Sequence, residues 1–140
     1  MSSCVVWKVR RAARILTRMY DAALAPCGLT STQLGALDAL SDLASATVRQ
    51  LAEINGHEQS VTWRGLQPLL RRALIRRAPS SDRADLYELT EAGAELLQTA
   101  LTHWRVVQDR VLAAVGDDVD RLSAMIDTLD GLDSTVSAAE

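Results

Sequence analysis

Both ends of the chain share one pattern, in which apolar residues recur every three or four positions among polar ones. This spacing is typical of an amphipathic helix, because 3.6 residues complete one helical turn. Gly116 interrupts the C-terminal pattern, which is therefore predicted to form two helices. Long helices are predicted over about 5–25 and 91–137, with apolar positions that include Val9, Ala13, Leu16, Tyr20, Leu24, Leu97, Leu101, Trp104, Val111, Leu122 and Leu129.

Capping signals divide the middle of the chain. Thr30 is followed three positions later by Gln33, and Thr47 by Gln50, which is the spacing of a capping box at a helix start. Two short helices are therefore predicted to begin after these threonines. A third helix is predicted over residues 58–72, where the next apolar periodicity lies.

Ala52 and Gly56 indicate that two of these helices form a helix-turn-helix. In that motif the helices cross closely, so a small residue is needed at the crossing and a glycine at the turn four positions later. The second helix of the motif lies in the DNA major groove with its N-terminal part against the base edges. In the predicted helix 58–72, the candidate DNA-contacting residues are Gln59, Ser60, Val61, Trp63, Arg64 and Gln67.

A hairpin is predicted next, because short apolar runs at 74–75 and 86–89 flank a polar turn. Asp82 and Arg83 lie at its tip, where the arginine can reach into a minor groove. Asp82 can orient Arg83 through an ion pair or cap the turn, although an Asp-Arg pair is also common in turns that only face solvent. The predicted fold class is mainly α with a small β-hairpin wing.

This fold class corresponds to a winged helix-turn-helix over about 30–90, flanked by the long terminal helices in a single domain of residues 1–140. The terminal helices of one chain are too few to bury one another's apolar stripes completely. This predicts a homodimer in which the terminal helices of two chains intertwine. The alternative is a monomeric bundle whose apolar stripes pack inward. A dimer would read a pseudo-palindromic operator with half-sites about 10 bp apart.

Charge is distributed unevenly along the chain. The formal net charge is −3, yet residues 49–83 contain seven arginines against three acids and carry +4, which leaves −7 for the rest. A basic segment in an acidic protein is expected where a polyanion binds locally. The alternative is that these arginines only solvate helix faces.

Other functional classes find little support in the sequence. His57 and His103 are the only histidines, and no cluster of histidine, cysteine or carboxylate has the spacing of a metal or catalytic site. No enzymatic activity, metal or cofactor is therefore expected. The chain has neither a signal peptide nor a run of about 18 apolar residues, so a cytoplasmic protein with no membrane partner is expected. Cys4 and Cys27 are expected to be thiols.

The chain resembles the MarR (multiple antibiotic resistance regulator) family of bacterial winged helix-turn-helix repressors along nearly its whole length. The resemblance implies a transcriptional regulator, usually a repressor, that binds double-stranded DNA as a homodimer joined through its N- and C-terminal helices. It also implies release from DNA by a small-molecule effector or an oxidant. The effector would bind in the cleft between the dimerisation helices and the winged domain. The matching segments are Arg14-Ile15-Leu16, Tyr20-Asp21-Ala22-Ala23-Leu24, Gly28-Leu29-Thr30 with Gln33, Thr47-Val48 with Leu51-Ala52, Leu74-Ile75-Arg76-Arg77, Asp82-Arg83 and Leu89-Thr90-Glu91-Ala92-Gly93.

Cys4 is the candidate redox residue, because it lies near the start of the first helix and close to lysine and arginine side chains that favour a thiolate. A bystander thiol is the alternative.

The chain departs from the family pattern at four places. Ala73 stands where the helix before the hairpin usually ends in glycine, and Pro68 interrupts the recognition helix. Trp63 replaces a small polar residue, and the wing is short, with Ala84 in place of a second arginine. Trp63 and the short wing favour the alternative function, a protein-interaction module that keeps the winged fold but no longer binds DNA.

Overall fold

The computed structural model describes residues 4–137, and it describes side chains as far as residue 134. The prediction of a mainly helical chain with one small hairpin is confirmed. The chain forms two compact units, which divide after Arg105, inside a long helix. Its elements are α1 (Val5–Leu24), a short 3-10 helix (Ala25–Cys27), α2 (Ser31–Leu43), α3 (Val48–Asn55), α4 (Gln59–Arg71), β1 (Ile75–Ala78), β2 (Leu86–Leu89), α5 (Glu91–Val115) and α6 (Asp118–Ser137).

Both predicted capping boxes are present. The Thr30 hydroxyl accepts a hydrogen bond from the Gln33 amide at 3.2 Å, and the Gln33 side-chain oxygen accepts one from the Thr30 amide at 3.0 Å. Thr47 and Gln50 form the same reciprocal pair at the start of α3. Gln33 is buried and its Nε2 also donates to the carbonyl of Gly65, at 3.2 Å. One side chain therefore caps α2 and ties that helix to α4.

The core of the first unit lies between α2, α3, α4 and the hairpin. Its largest fully buried side chains are Tyr87, Leu24, Leu37, Leu40, Leu51, Leu66, Leu69, Ile75 and Leu97. The sequence pattern counted Leu97 among the apolar positions of the terminal helices that a second chain would cover, and for Leu97 this prediction is wrong, because it is only 2% exposed and belongs to this core. Leu101 and Trp104, one and two turns later, are half-buried against the same cluster.

The hairpin pairs β1 with β2 in antiparallel register, and Ile75 lies opposite Leu89. Arg76 lies opposite Glu88, and their side chains form an ion pair at 2.7 Å. A further bridge joins β2 to the segment between α2 and α3: the Ala46 amide donates to the Tyr87 carbonyl at 3.0 Å, and the Tyr87 amide donates back at 2.9 Å. The base of the hairpin is thus bonded to the start of the helix-turn-helix.

Ala73 adopts a left-handed backbone conformation, with φ at +54°, between α4 and β1. Replacing it with glycine is expected to raise the free energy of unfolding by about 1 kcal/mol, because a side chain in this conformation is strained. The matched control is Ala22→Gly in the exposed part of α1, which should lower that free energy by about 1 kcal/mol. Urea unfolding followed by circular dichroism measures both. A loss of stability in both variants would mean that Ala73 is not strained.

Candidate nucleic-acid interface

The turn between α3 and α4 has the geometry that the sequence predicts for a helix-turn-helix. Ala52 is buried at the crossing, with 3% exposure. Gly56 has φ +65° and ψ 33°, and its amide bonds to the carbonyls of Ala52 and Glu53. A Cβ at this glycine would meet nothing within 4 Å, so glycine is needed here for its backbone angles and not for space.

The two sides of α4 differ sharply. Thr62, Leu66 and Leu69 face the core and are at most 3% exposed. Among the predicted DNA-contacting residues, Gln59, Ser60, Val61, Trp63 and Arg64 are exposed, Val61 at 37% and Trp63 at 40%. Helix α4 thus packs through one stripe and presents its polar side, with one indole, to solvent.

Gln67 is the exception to the predicted exposure. It is half-buried, and its side-chain amide donates to the Trp63 carbonyl one turn earlier, at 3.2 Å. Helix α4 continues through Pro68 to Arg71. Because proline has no amide hydrogen, the Arg64 carbonyl lacks the donor that position 68 would otherwise supply.

The tip of the wing is exposed, as predicted, but its internal contacts differ from those expected. Among the described residues no ion pair joins Asp82 to Arg83, and the ion pair near the tip is Arg77 with Asp85, at 3.5 Å. Ser80, which sequence reasoning missed, shapes the turn: its hydroxyl accepts a hydrogen bond from the Asp82 amide at 3.1 Å and lies 3.4 Å from the Ala84 carbonyl. Asp82 therefore enters the turn through its backbone, and no described ion pair restrains Arg83.

The arginines of segment 49–83 fall into two groups. Four are engaged within the fold: Arg49 with Glu53, Arg76 with Glu88, Arg77 with Asp85, and Arg72 with two backbone carbonyls. Within residues 4–137, Arg64, Arg71 and Arg83 have neither an ion pair nor a hydrogen bond from the side chain. Within this segment, the arginines that remain available to a ligand therefore lie on α4 and at the wing tip.

Sequence reasoning missed Arg71. It lies seven positions after Arg64, which is close to two helical turns, so both guanidinium groups project from the same side of α4. Helical spacing from Arg64 is the signal that could have identified it.

Nothing among the described side chains suggests a metal centre, since no group of three or more His, Cys, Asp or Glu residues could hold an ion. Cys4 is half-buried at the N-cap position of α1, and Cys27 is buried; both are free thiols. His57 Nε2 lies 3.4 Å from the hydroxyl of Thr32. In the part of the chain that the structure describes, no helix is long and apolar enough to cross a membrane.

A cavity of about 490 Å³ lies between α1, α2 and the middle of α5. The rings of Tyr20 and Trp104 meet there with centroids 6.3 Å apart. Burial raises the pKa of the Tyr20 phenol above its ordinary value, so the hydroxyl is protonated at neutral pH. The lining residues are Tyr20, Ser31, Leu34, Gly35, Asp38, Leu101, Trp104 and Arg105.

The crossed helices α3 and α4, the exposed polar side of α4 and the adjacent hairpin define a winged helix-turn-helix protein. No family model matches the chain, and no curated protein matches it significantly. Solved structures do match. The transcriptional regulator MosR of M. tuberculosis, crystallised in complex with DNA, is 37% identical over 96% of this chain and 98% of its own, with a TM-score of 0.82.

Two further solved structures are similar to the chain. A MarR family transcriptional regulator from Silicibacter pomeroyi is 28% identical over 96% of this chain and 90% of its own, with a TM-score of 0.70. MarR of E. coli shares the fold, at 20% identity over 90% of this chain and 96% of its own, with a TM-score of 0.66. The chain belongs to the MarR family of transcriptional regulators.

Proposed function

We propose that the protein binds double-stranded DNA in a sequence-specific manner and represses transcription. The observation that carries the proposal is the pairing of two exposed surfaces, the polar side of α4 and the tip of the wing. Each bears an arginine, Arg64 and Arg83 respectively, that has no described partner within the protein. Neither side chain contributes to the core, so the packing of the fold does not account for them. The similarity to MosR, whose structure includes DNA, supports the proposal.

Each candidate residue has a distinct role in this proposal. Arg64 and Gln59 donate hydrogen bonds to base edges or phosphates in the major groove, and Val61 contacts a thymine methyl group. Ser60, Trp63 and Gln67 complete the contact surface of α4. One Nε2 hydrogen of Gln67 is used in the bond to the Trp63 carbonyl, which leaves its amide oxygen and its second N–H for DNA. Arg83, oriented by the turn that contains Asp82, reaches a phosphate or the minor groove.

The proposed active form is a homodimer in which helices 5–25 and 91–137 join two chains and each winged part, 30–90, reads one half-site. Apolar side chains exposed on a single chain support it, because such patches are seldom left open to water. Those on α1 are Val5, Val6, Trp7, Val9 and Ile15, and those on α6 are Leu122, Met125, Ile126, Leu129 and Leu132.

Replacing Leu129 with aspartate is expected to convert a dimer into a monomer at micromolar concentration, because a charge would enter an apolar contact. The matched control is Ala124→Asp, five positions earlier on another side of α6, which should leave the dimer intact. Sedimentation velocity measures both variants and the parent. A parent protein that sediments as a stable monomer, or a Leu129 variant that remains dimeric, would contradict the proposed assembly.

We propose that a small-molecule effector binds in the 490 Å³ cavity. The aromatic walls at Tyr20 and Trp104 suit a flat apolar ligand, and Asp38 and Arg105 at the rim offer an acceptor and donors for its polar groups. Release by an oxidant acting at Cys4 stays a prediction from the sequence.

DNA selection from a random duplex library tests the proposed function. We expect enrichment of a pseudo-palindromic site with half-sites about 10 bp apart. Its affinity should fall steeply as salt rises, because phosphate contacts release counterions. The exposed indole of Trp63 supports the alternative, an interaction module without DNA affinity. If no DNA sequence is enriched and the affinity for DNA does not change with salt concentration, the interaction module replaces the proposal.

A further inference from the structure

Arg72, directly after α4, holds a loop that lies 44 and 45 residues earlier in the sequence. Its Nη1 donates to the Gly28 carbonyl at 2.9 Å and its Nη2 to the Cys27 carbonyl at 3.1 Å. The guanidinium packs close beside this backbone: a Cβ built on Gly28 would lie 3.2 Å from Nη1 and 3.6 Å from Nη2. A planar fork with two donors fits two neighbouring carbonyls in a way that a lysine ammonium does not.

The acceptors explain why a cation is held at this point. Cys27 is the last residue of the short 3-10 helix, and Gly28 is its C-cap. Carbonyls at a helix C-terminus lack intrahelical donors and carry partial negative charge. Arg72 supplies both hydrogen bonds and the opposite charge, so the contact is charge-assisted.

This contact joins the proposed dimerisation region to the proposed recognition helix. The loop follows α1, which belongs to the proposed dimerisation region, and Arg72 caps the C-terminal end of α4, the proposed recognition helix. Pro68 removes one helical hydrogen bond one turn before Arg72, the bond that its amide would otherwise donate to the Arg64 carbonyl. Arg72 ties the C-terminal end of α4 to the loop that follows α1.

We propose that Arg72 is a positioning residue for operator binding: it sets the direction of the recognition helix relative to α1 without touching DNA. The proposal rests on the proposed DNA binding. In a dimer the direction of each α4 decides which half-site spacing the two helices fit, so removing the Arg72 hydrogen bonds lowers affinity and relaxes the choice of spacing. Arg121 in α6, an exposed arginine outside the proposed contact surface, serves as the control.

The decisive variant is Arg72→Lys, which keeps the positive charge but lacks the planar fork whose two nitrogens bond the two carbonyls. We expect its affinity for the selected operator to fall about tenfold, since a hydrogen bond from a charged group disappears. Arg121→Lys should bind as the parent does. Fluorescence anisotropy on folded protein, well below the melting temperature, measures these affinities. Equal affinities for Arg72→Lys and the parent would overturn the proposal.

A second variant separates positioning from phosphate binding. Arg72→Ala should weaken binding while the slope of log K against log salt stays as in the parent, because every phosphate remains neutralised as before. Discrimination between the selected operator and one with a base pair inserted between its half-sites should shrink. A slope reduced by about one would instead assign Arg72 to the DNA contact surface and overturn the proposal. A parent that binds no DNA overturns the proposed function itself, which is a different outcome.

Discussion

The Gly93→Ala variant is expected to lose about 3 kcal/mol of its unfolding free energy, through overpacking by one methyl group. Gly93 lies in the first turn of α5, buried against the start of β1. A Cβ there would overlap the Leu74 carbonyl oxygen and would lie 2.9 Å from the carbonyl carbon. Both are backbone atoms of the protein, so a side-chain rotation cannot relieve the overlap.

Thr90 is the reason why α5 and β1 approach so closely. Its amide donates to the Leu74 carbonyl at 3.1 Å and its hydroxyl donates to the Ala73 carbonyl at 2.6 Å. The same hydroxyl accepts from the Gly93 amide at 3.1 Å and so caps α5. Added bulk at Gly93 would pull these bonds apart, which adds their loss to the steric cost.

Gly131→Ala in α6 is the matched control, because it adds the same methyl group to another helical glycine. Nothing lies within 4 Å of a Cβ at Gly131, so this variant should gain up to about 1 kcal/mol from helix propensity. Thermal and urea unfolding of the two variants give the comparison. If Gly93→Ala unfolds as the parent does, the close approach of α5 to β1 is not as described.

Arg64→Ala and Arg83→Ala are each expected to bind the selected operator about tenfold more weakly, and the salt slope should fall by about one for each phosphate that is no longer neutralised. Both side chains are exposed and unpaired within the described residues, so neither variant should unfold. The control is Arg121→Ala in α6, which removes an exposed arginine outside the proposed contact surface and should leave binding unchanged.

The two variants are expected to differ in how well they discriminate between DNA sequences. If Arg64 contacts a base, its removal should reduce discrimination at one position of each half-site by roughly 1–3 kcal/mol. Removal of Arg83 should weaken all sequences alike, with at most a changed preference in the A·T-rich flanks. Binding to a set of variant operators measures both effects. Undiminished affinity in both variants would refute the assignment of α4 and the wing to DNA and favour the interaction module.

Local interactions explain why much of the fold was predictable from the sequence. The capping box of Thr30 and Gln33 joins residues three positions apart, and the turn at Gly56 needs only its own backbone angles. Leu97 was placed wrongly because a helix has the same apolar period whether its stripe faces its own core or a second chain. Sequence periodicity shows which residues form the apolar stripe of a helix, but it does not show which surface that stripe packs against.

Distant contacts explain what the sequence could not predict about the site. Exposure on α4 followed the helical period except at Gln67, whose amide turns back to the helix backbone. Asp82 and Arg83 are adjacent in sequence, but the antiparallel hairpin instead brings Asp85 near Arg77. The hydrogen bonds of Arg72 to the Cys27 and Gly28 carbonyls join residues more than forty positions apart. No periodic pattern in the sequence indicates such a contact.

The backbone bridge between Ala46 and Tyr87 attaches the wing directly to the helix-turn-helix. Tyr87 is fully buried and forms a hydrogen bond in each direction with the segment from which α3 starts. This attachment restrains the base of the hairpin relative to the start of α3. In the proposed complex, differences in minor-groove width between operators would then be absorbed by the short tip, residues 79–85, or by the DNA itself. A duplex that does not match the distance between α4 and the tip would have to deform in order to bind, which favours operators of matching shape.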